Sequence, residues 1–483
     1  MSNTEVTLDT LVSLAKRRGF VFQASEIYGG IGGFWDYGPY GVELANNLKQ
    51  YWWQKFVREQ PDVYGIDGAI IQSPKLWKAS GHIDGFNDPL VEDTVTHKRY
   101  RADHLAGVDT NDIDKLNELL KGKKSPDGNP LGEVRTFNMM FKTYVGPVSD
   151  VPVISTNGED GLNVRLGEWQ IDLIRQQAPE ISKVDDPGVA YLRPETAGAI
   201  FTNYDLVRES TRSKIPFGVA QIGKGFRNEI SPREFLFRVR EFDMMEMEYF
   251  TRPDRATEDF ERWKQFCWDF LQEVGVSKDK MVWHQHAEDE RAHYAADSWD
   301  IQYKFFGGDA KELWGIANRT DFDLKAHSAA SGKDLSYFDP ESGERFTPYV
   351  VEPAIGLGRM FLAVLDSAYH EEEVGGEKRV VLKFAPQIAP VKVAILPLSK
   401  KPELSTLARK VYTDLVRSTG YNIEYDETQS IGKRYRRQDE IGTPYCVTVD
   451  FESLEDGMVT VRSRDTMEQK RVKIDELAGA LQF

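Results

Sequence analysis

The sequence predicts a multidomain α/β protein: strands joined by charged loops pack under amphipathic helices, and a smaller mixed α/β domain follows. Three observations predict it. A chain of 483 residues is too long for one hydrophobic core and points to two to four domains. Residues 217–250 read as two antiparallel strands joined by a charged loop, with an amphipathic stretch after them. From Val391 onward, strands and helices alternate in short regular segments.

Composition narrows the class. With 40% hydrophobic and 29% charged residues, the chain has the profile of a packed globular protein and not of a disordered one. No apolar run approaches the roughly 18 to 20 residues needed to cross a bilayer, and Met1 to Lys16 lacks the basic-then-apolar order of a signal peptide, so no membrane partner is expected. Cys267 and Cys446 are too few and too far apart for a disulfide framework, which makes a reducing, cytoplasmic setting the expectation. The formal charge of −16 disfavours non-specific attraction to nucleic acid but leaves room for a local basic groove.

In chain order, Leu44, Leu48, Trp52 and Phe56 recur every four positions and predict a helix over Val42 to Val57, preceded by the Tyr37–Gly41 turn. Ala69 to Ile71 reads as a short strand stopped near Pro74. Residues 106–190 carry Gly and Pro at Ser125–Gly132 and around Asn157–Gly161, the pattern of an inserted subdomain with exposed loops; Met139 and Met140 read as packing residues. Val219–Ile222 and Phe237–Phe250 are the paired strands, and Ala256–Val274 is a helix bearing Phe260, Trp263, Phe266 and Phe270. Tyr349–Val351 is a further strand, and Gly356 to Arg359 lead into a helix start at Met360–Leu365. Glu371–Lys378 reads as a hinge, while Val380–Phe384 equally reads as a core strand; the boundary is set near Ala389. The last domain has strands at Val391–Leu396, Asn422–Tyr425, Tyr445–Val449 and Met458–Arg462, and helices at Leu404–Arg417 and Ile431–Ile441.

The chemistry concentrates in Gly225-Phe-Arg-Asn-Glu229, Ser231-Pro-Arg-Glu234 and Arg238-Val-Arg-Glu-Phe242. A guanidinium offers five planar donors that match phosphate oxygens. Arg238 and Arg240 are expected on one face of a strand, with Val239 and Glu241 on the other. A solvated, salt-bridged sheet face has the same signature. Glu246, Glu248 and, in Leu192-Arg-Pro-Glu-Thr196, Glu195 form an acidic set that needs a cation, either a metal ion, an ammonium group or neighbouring arginines. There is no Gly-x-x-x-x-Gly-Lys-Ser/Thr loop, and the eight histidines and two cysteines offer no zinc spacing, so no zinc is expected.

The order of these segments resembles a class II aminoacyl-tRNA synthetase, specifically the homodimeric glycyl-tRNA synthetases, over nearly the whole chain. Phe34 to Pro74 resembles the first class motif, Gly225 to Phe242 the second, and Glu352-Pro-Ala-Ile-Gly-Leu-Gly-Arg359 the third. Pro216 to Ile230 is especially similar to the glycyl members, and Gly315-Ile-Ala-Asn-Arg-Thr-Asp321 lies between the second and third motifs.

The resemblance implies an antiparallel catalytic sheet flanked by helices, with core segments at 1–105 and 191–388, an insert at 106–190 and an anticodon-binding domain at 389–483. It implies attachment of glycine to tRNA(Gly) through glycyl-adenylate, with ATP and Mg2+. By position, Arg227 would meet the ATP α-phosphate and the glycine carboxylate, Glu229 the adenine edge and Arg238 the terminal phosphates. Phe242 and Arg359 would cover the two faces of adenine. Glu195, Glu246 and Glu352 would surround the glycine ammonium, with Arg319 near the amino-acid pocket. Ala354 stands where many members have Ser, which removes one hydroxyl contact. The first motif implies a homodimer, and Lys433, Arg434, Arg436 and Arg437, joined by Arg462 and Arg464 on a later strand, are the RNA-facing candidates.

Overall fold

The computed structural model describes residues 6–108, 110–145, 153–155, 163–165, 188–287, 291 and 295–481; the loop expected around Asn157–Gly161 lies outside them. The chain divides into two compact units. The first comprises Met1–Gly68, Glu195–Lys224 and Ser231–Phe483, and the second Ala69–Pro194 and Gly225–Ile230.

A seven-stranded sheet organises the first unit, in the order Met281–Gln285, Asp297–Lys304, Ala310–Thr320, Tyr349–Gly356, Glu241–Thr251, Phe217–Phe226 and Val63–Gly65. The first four neighbouring pairs are antiparallel and the last, joining Phe217–Phe226 to Val63–Gly65, is parallel. One face is apolar because alternate residues turn the same way: Met245, Met247, Tyr249, Val351, Ile355, Trp314 and Ile316 enter the main core. Three helices supply its other wall through Trp52 of Pro39–Trp53, Trp263 of Ala256–Glu273 and Phe361 of Leu357–Ala368.

The first of these helices begins earlier than its apolar spacing predicts, since Pro39 occupies the first turn, where no backbone donor is needed. It continues into a wider turn at Gln54–Arg58. Gly41 is required there: a Cβ at this position would lie 1.7 Å from the Phe20 carbonyl oxygen.

Three readings of the sequence change. Pro74 does not stop a strand but opens the helix Pro74–Ala79, where Ser73 accepts a hydrogen bond from the Lys75 N–H; the strand itself is Ile71–Gln72. Arg238 and Arg240 do not share a strand face, because the strand starts at Glu241. Arg238 instead forms an isolated bridge with Arg233, closed by a turn with Glu234 and Phe235 at positive φ. Glu371–Lys378 is no hinge: Tyr369–Val374 and Glu377–Leu382 form a hairpin, and Leu382, Phe384, Ile388 and Ala389 pack into the main core.

The C-terminal sheet has the order Ile423–Tyr425, Val393–Pro397, Tyr445–Val449, Met458–Ser463 and Gln469–Lys473, the last strand being one that the sequence reading missed. Helices Pro402–Thr419 and Ile431–Ile441 accompany it. The connecting segment is tied to its surroundings. Asn47 Nδ2 donates to the carbonyls of Ile388 and Ala389, and Lys392 Nζ to those of Pro386 and Gln387. Buried Arg379 pairs through two nitrogens with Asp439 of the helix Ile431–Ile441, at 2.8 and 2.9 Å.

In the second unit, Asn87–Glu92 pairs with Arg99–Arg101 and Arg135–Asn138 in one small sheet, and Val189–Leu192 lies between Ile71–Gln72 and Lys142–Tyr144 in another. Val91, Ala102, Leu116, Leu120 and Val134 form its core.

Candidate active site

The face of the seven-stranded sheet opposite the core carries the charges. Alternation along Glu241–Thr251 that sends Met245 and Met247 inward leaves Phe242, Glu246 and Glu248 on the other face. The neighbouring strand contributes Glu352 and Ala354, and the next contributes Gly315, Ala317 and Arg319; the register sets Ala354 opposite both Glu246 and Gly315, and Ala317 opposite Glu352. Small residues thus floor a patch walled by carboxylates.

Glu246, Glu248 and Glu352 are all buried, and one carboxylate oxygen from each lies within 4.8 Å of the others. Their partners differ. The Thr196 backbone N–H donates to Glu246 Oε2 at 2.8 Å, and the Thr196 hydroxyl donates to the same oxygen. Arg319 Nη1 donates to Glu352 Oε2 at 2.9 Å. Neither oxygen of Glu248 has a hydrogen-bond partner among the described residues. Burial raises the pKa of all three acids. For Glu246 the charge of Glu195 adds to burial. Glu352 is pushed up to about 8, burial and the charges of Glu246 and Glu195 outweighing the pull of Arg319.

Arg319 is more committed than the sequence suggests. Its Nε and Nη2 donate to the two oxygens of Asp323 at 2.7 and 2.8 Å, so with Glu352 it serves two acids, and its guanidinium lies 5.4 Å from the Phe201 ring centre. It orients Glu352 in this arrangement. Asp323, four residues on in the helix Phe322–Ser331, and Thr196 are site residues that the sequence reading does not name; the charge spacing Arg319–Asp323 and the Leu192–Thr196 segment carry the signal. His327, on the same helix, is buried with Nε2 unpaired among the described residues, and burial lowers its pKa.

Arg359 stacks 4.5 Å from the centre of the Phe237 ring, and its Nη1 reaches Glu312 Oε2 at 2.9 Å and the Glu312 carbonyl at 3.1 Å. Phe237 had not been singled out. Phe242 is half-buried and borders a cavity of about 240 Å³ together with Lys224, Glu241, Asp243, Trp35 and Tyr37; Lys224 pairs there with Glu241 and Asp243.

Within the second unit, Arg227 Nε donates to the Pro194 carbonyl at 3.1 Å, and its guanidinium lies 5.4 Å from the Phe86 ring centre. The following residue is fixed through its backbone, the Asn228 N–H donating to the Met139 carbonyl at 2.8 Å. Arg101 is held in its charged form against burial chiefly by Asp103 and Asp88, and Glu229 is a further acid close enough to contribute.

The basic helix Ile431–Ile441 splits into two kinds of residue. Lys433 is exposed, and with Tyr435, Arg436 and Arg437 it lines a groove of about 820 Å³. Arg434 is buried, donating to the carbonyls of Pro397, Asp426 and Gln429, so it holds the domain together and does not face RNA. Arg462 and Arg464 are also buried, the first on Asp439 and the second on the carbonyls of Gly442 and Phe384.

Residues 183–368 match the model of the tRNA synthetase class II core domain (G, H, P, S and T), and residues 392–483 match that of the anticodon binding domain. The chain is 47% identical to the glycine–tRNA ligase of Clostridium acetobutylicum, across 99% of this chain and 98% of that one. The chain belongs to the glycine–tRNA ligase family. It is 48% identical to the glycine–tRNA ligases of Macrococcus caseolyticus and Streptomyces coelicolor, across 99% and 98% of this chain and 98% and 97% of theirs. As a member of this family it has the class II synthetase core, with its antiparallel sheet and flanking helices, followed by the C-terminal anticodon-binding domain. Among the described residues, no helix is long and apolar enough to cross a membrane.

Proposed function

We propose that the chain attaches glycine to tRNA(Gly) in two steps. The glycine carboxylate attacks the α-phosphorus of ATP, forming glycyl-adenylate and releasing pyrophosphate; the terminal adenosine hydroxyl of the tRNA then takes the glycyl group and AMP leaves. The carboxylate is already a nucleophile, so the protein's task is alignment and charge compensation.

The observation that supports this reading is the excess of acid over base on the sheet face: Glu246, Glu248 and Glu352 lie together with Arg319, which is itself shared with Asp323. Such a patch suits one compact cation. An α-ammonium fits it, with Glu246 and Glu352 as acceptors and Glu195 at the rim. Gly315, Ala317 and Ala354 beneath allow a small substrate to approach closely, and a side chain on its α-carbon would be excluded by contact, without a proofreading step.

In this reading Arg227 bridges the glycine carboxylate and the α-phosphate, Glu229 reads the adenine edge, Arg238 meets the terminal phosphates, and Phe242 and Arg359 flank adenine. Arg319 acts by holding Glu352. Magnesium accompanies the polyphosphate. Lys433, Arg436 and Arg437 are the RNA-facing groups of the C-terminal domain. We assign segments 1–105 and 191–388 to the catalytic core, 106–190 to the insert and 389–483 to anticodon binding. A homodimer located in the cytoplasm is part of the proposal; the dimer is supported by Ile27 and Tyr28, which are 88% and 85% exposed near the first motif.

Charging of total tRNA with labelled glycine tests the reading. Transfer of label to an acid-precipitable RNA fraction in the presence of ATP is expected; transfer of another amino acid in preference to glycine would overturn it.

A further inference from the structure

Among the described residues, Glu248 is a buried carboxyl with both oxygens unpartnered, and its relative exposure is 0%. The register that pairs Glu246 with Ala354 and Tyr249 with Val351 sets Glu248 directly across from Glu352. Two like charges opposite each other on adjacent strands repel, and a dry setting magnifies the repulsion.

The groups around it do not relieve the conflict. Arg319 gives two donors to Asp323 and one to Glu352, and Thr196 gives both of its donors to Glu246. Glu195 adds negative charge to the same cluster, and burial lowers the pKa of His327, which disfavours its cationic form. Four acids, Glu246, Glu248, Glu352 and Asp323, thus share one arginine. A single substrate ammonium would still leave them two negative charges in excess.

We infer that Glu248 is held as the neutral acid, with its hydroxyl directed at Glu352, and that it positions the Glu352 carboxylate which receives the substrate ammonium. Burial and the charge of Glu352 both act against ionisation of Glu248, raising its pKa well above the usual carboxylate range. A protonated carboxyl supplies an O–H donor to Glu352, whose Oε2 already accepts from Arg319. Glu248 is therefore a positioning residue and not a ligand of glycine. The role rests on the proposed glycine pocket; the protonation state does not.

Two measurements test it on the full-length protein. In infrared difference spectra between wild type and Glu248→Gln, recorded without substrates at about pH 9, above the range in which Glu352 titrates, a protonated-carboxyl carbonyl band is expected in the wild type and absent from the variant. In glycine-dependent pyrophosphate exchange, Glu248→Gln keeps both shape and a donor, so KM for glycine rises by less than about fivefold. Glu352→Gln removes the acceptor itself and raises KM by roughly thirtyfold or more. Absence of the band, or a KM for Glu248→Gln as high as that of Glu352→Gln, would overturn the inference. A wild type that shows the band yet exchanges no pyrophosphate with glycine would refute the glycine reading and leave the proton on Glu248.

Discussion

Arg319 donates to Glu352 Oε2 at 2.9 Å from the same guanidinium that grips both oxygens of Asp323. This contact links the strand Ala310–Thr320 to the strand that starts the third motif, and it fixes one oxygen of an acid on the candidate ammonium site. Arg319→Ala leaves two buried carboxylates without their shared cation. The expected loss is about 3–5 kcal/mol of unfolding free energy, measured by urea titration, together with loss of glycine-dependent exchange. A variant of unchanged stability would show the pair to be dispensable.

Arg227 differs, being half-buried and resting on Pro194 and Phe86 within the second unit. Arg227→Ala is expected to keep its unfolding transition while the exchange rate falls about a hundredfold, which corresponds to ~3 kcal/mol of transition-state stabilisation. Near-normal exchange would remove Arg227 from the reaction.

The acid cluster makes stability depend on pH with a definite sign. In the substrate-free protein, folded Glu352 keeps its proton up to about 8, and a bound ammonium would favour its ionised form; the unfolded residue loses the proton near the ordinary value of 4.5, so between those limits the substrate-free native state binds more protons. Stability is therefore full below about pH 4.5 as far as this group is concerned and is lost as pH rises through about 8. Glu352→Gln should flatten that segment of the profile of Tm against pH. A variant profile parallel to the wild type would place the titration elsewhere.

The basic helix offers a contrast between adjacent residues. Lys433→Ala is expected to weaken tRNA charging through KM and to reduce its salt dependence, leaving glycine activation intact. Arg434→Ala instead removes a buried cation from the backbone carbonyls it serves, and the loss should appear as a lower Tm. Equal effects of both on tRNA KM alone would contradict this division.

Truncation near Ala389 is expected to lower the stability of the remaining core as well as tRNA charging. It strands buried Arg379 without Asp439 and removes Ile441 and Val391 from the main cluster. A truncated protein with wild-type Tm and exchange would contradict this.

How much of this was legible in the sequence follows from what each feature depends on. Local periodicity reads well: the spacing of Phe260, Trp263 and Phe270 predicts the helix Ala256–Glu273, and Ile431–Ile441 and Tyr445–Val449 coincide with their expected limits. The strand parity of Glu246 and Glu248 was visible too. What the sequence concealed depends on partners far along the chain. Arg434 and Lys433 are adjacent basic residues on one helix, and only the carbonyls of residues 397, 426 and 429 distinguish a buried strut from an exposed cation. Arg238 and Arg240 read as strand because they alternate with Val239, yet a turn at positive φ ends the alternation before the strand begins. The role of Arg319 likewise needed Asp323 and Glu352, 4 and 33 residues away, to be seen in contact.

Pyrophosphate exchange with a panel of amino acids tests the central claim most directly. A small-floored site walled by Glu246 and Glu352 predicts exchange that saturates with glycine and is at least a hundredfold weaker in kcat/KM with alanine and serine, on the order of 3 kcal/mol of discrimination. Comparable exchange with alanine, or none with glycine, would contradict it.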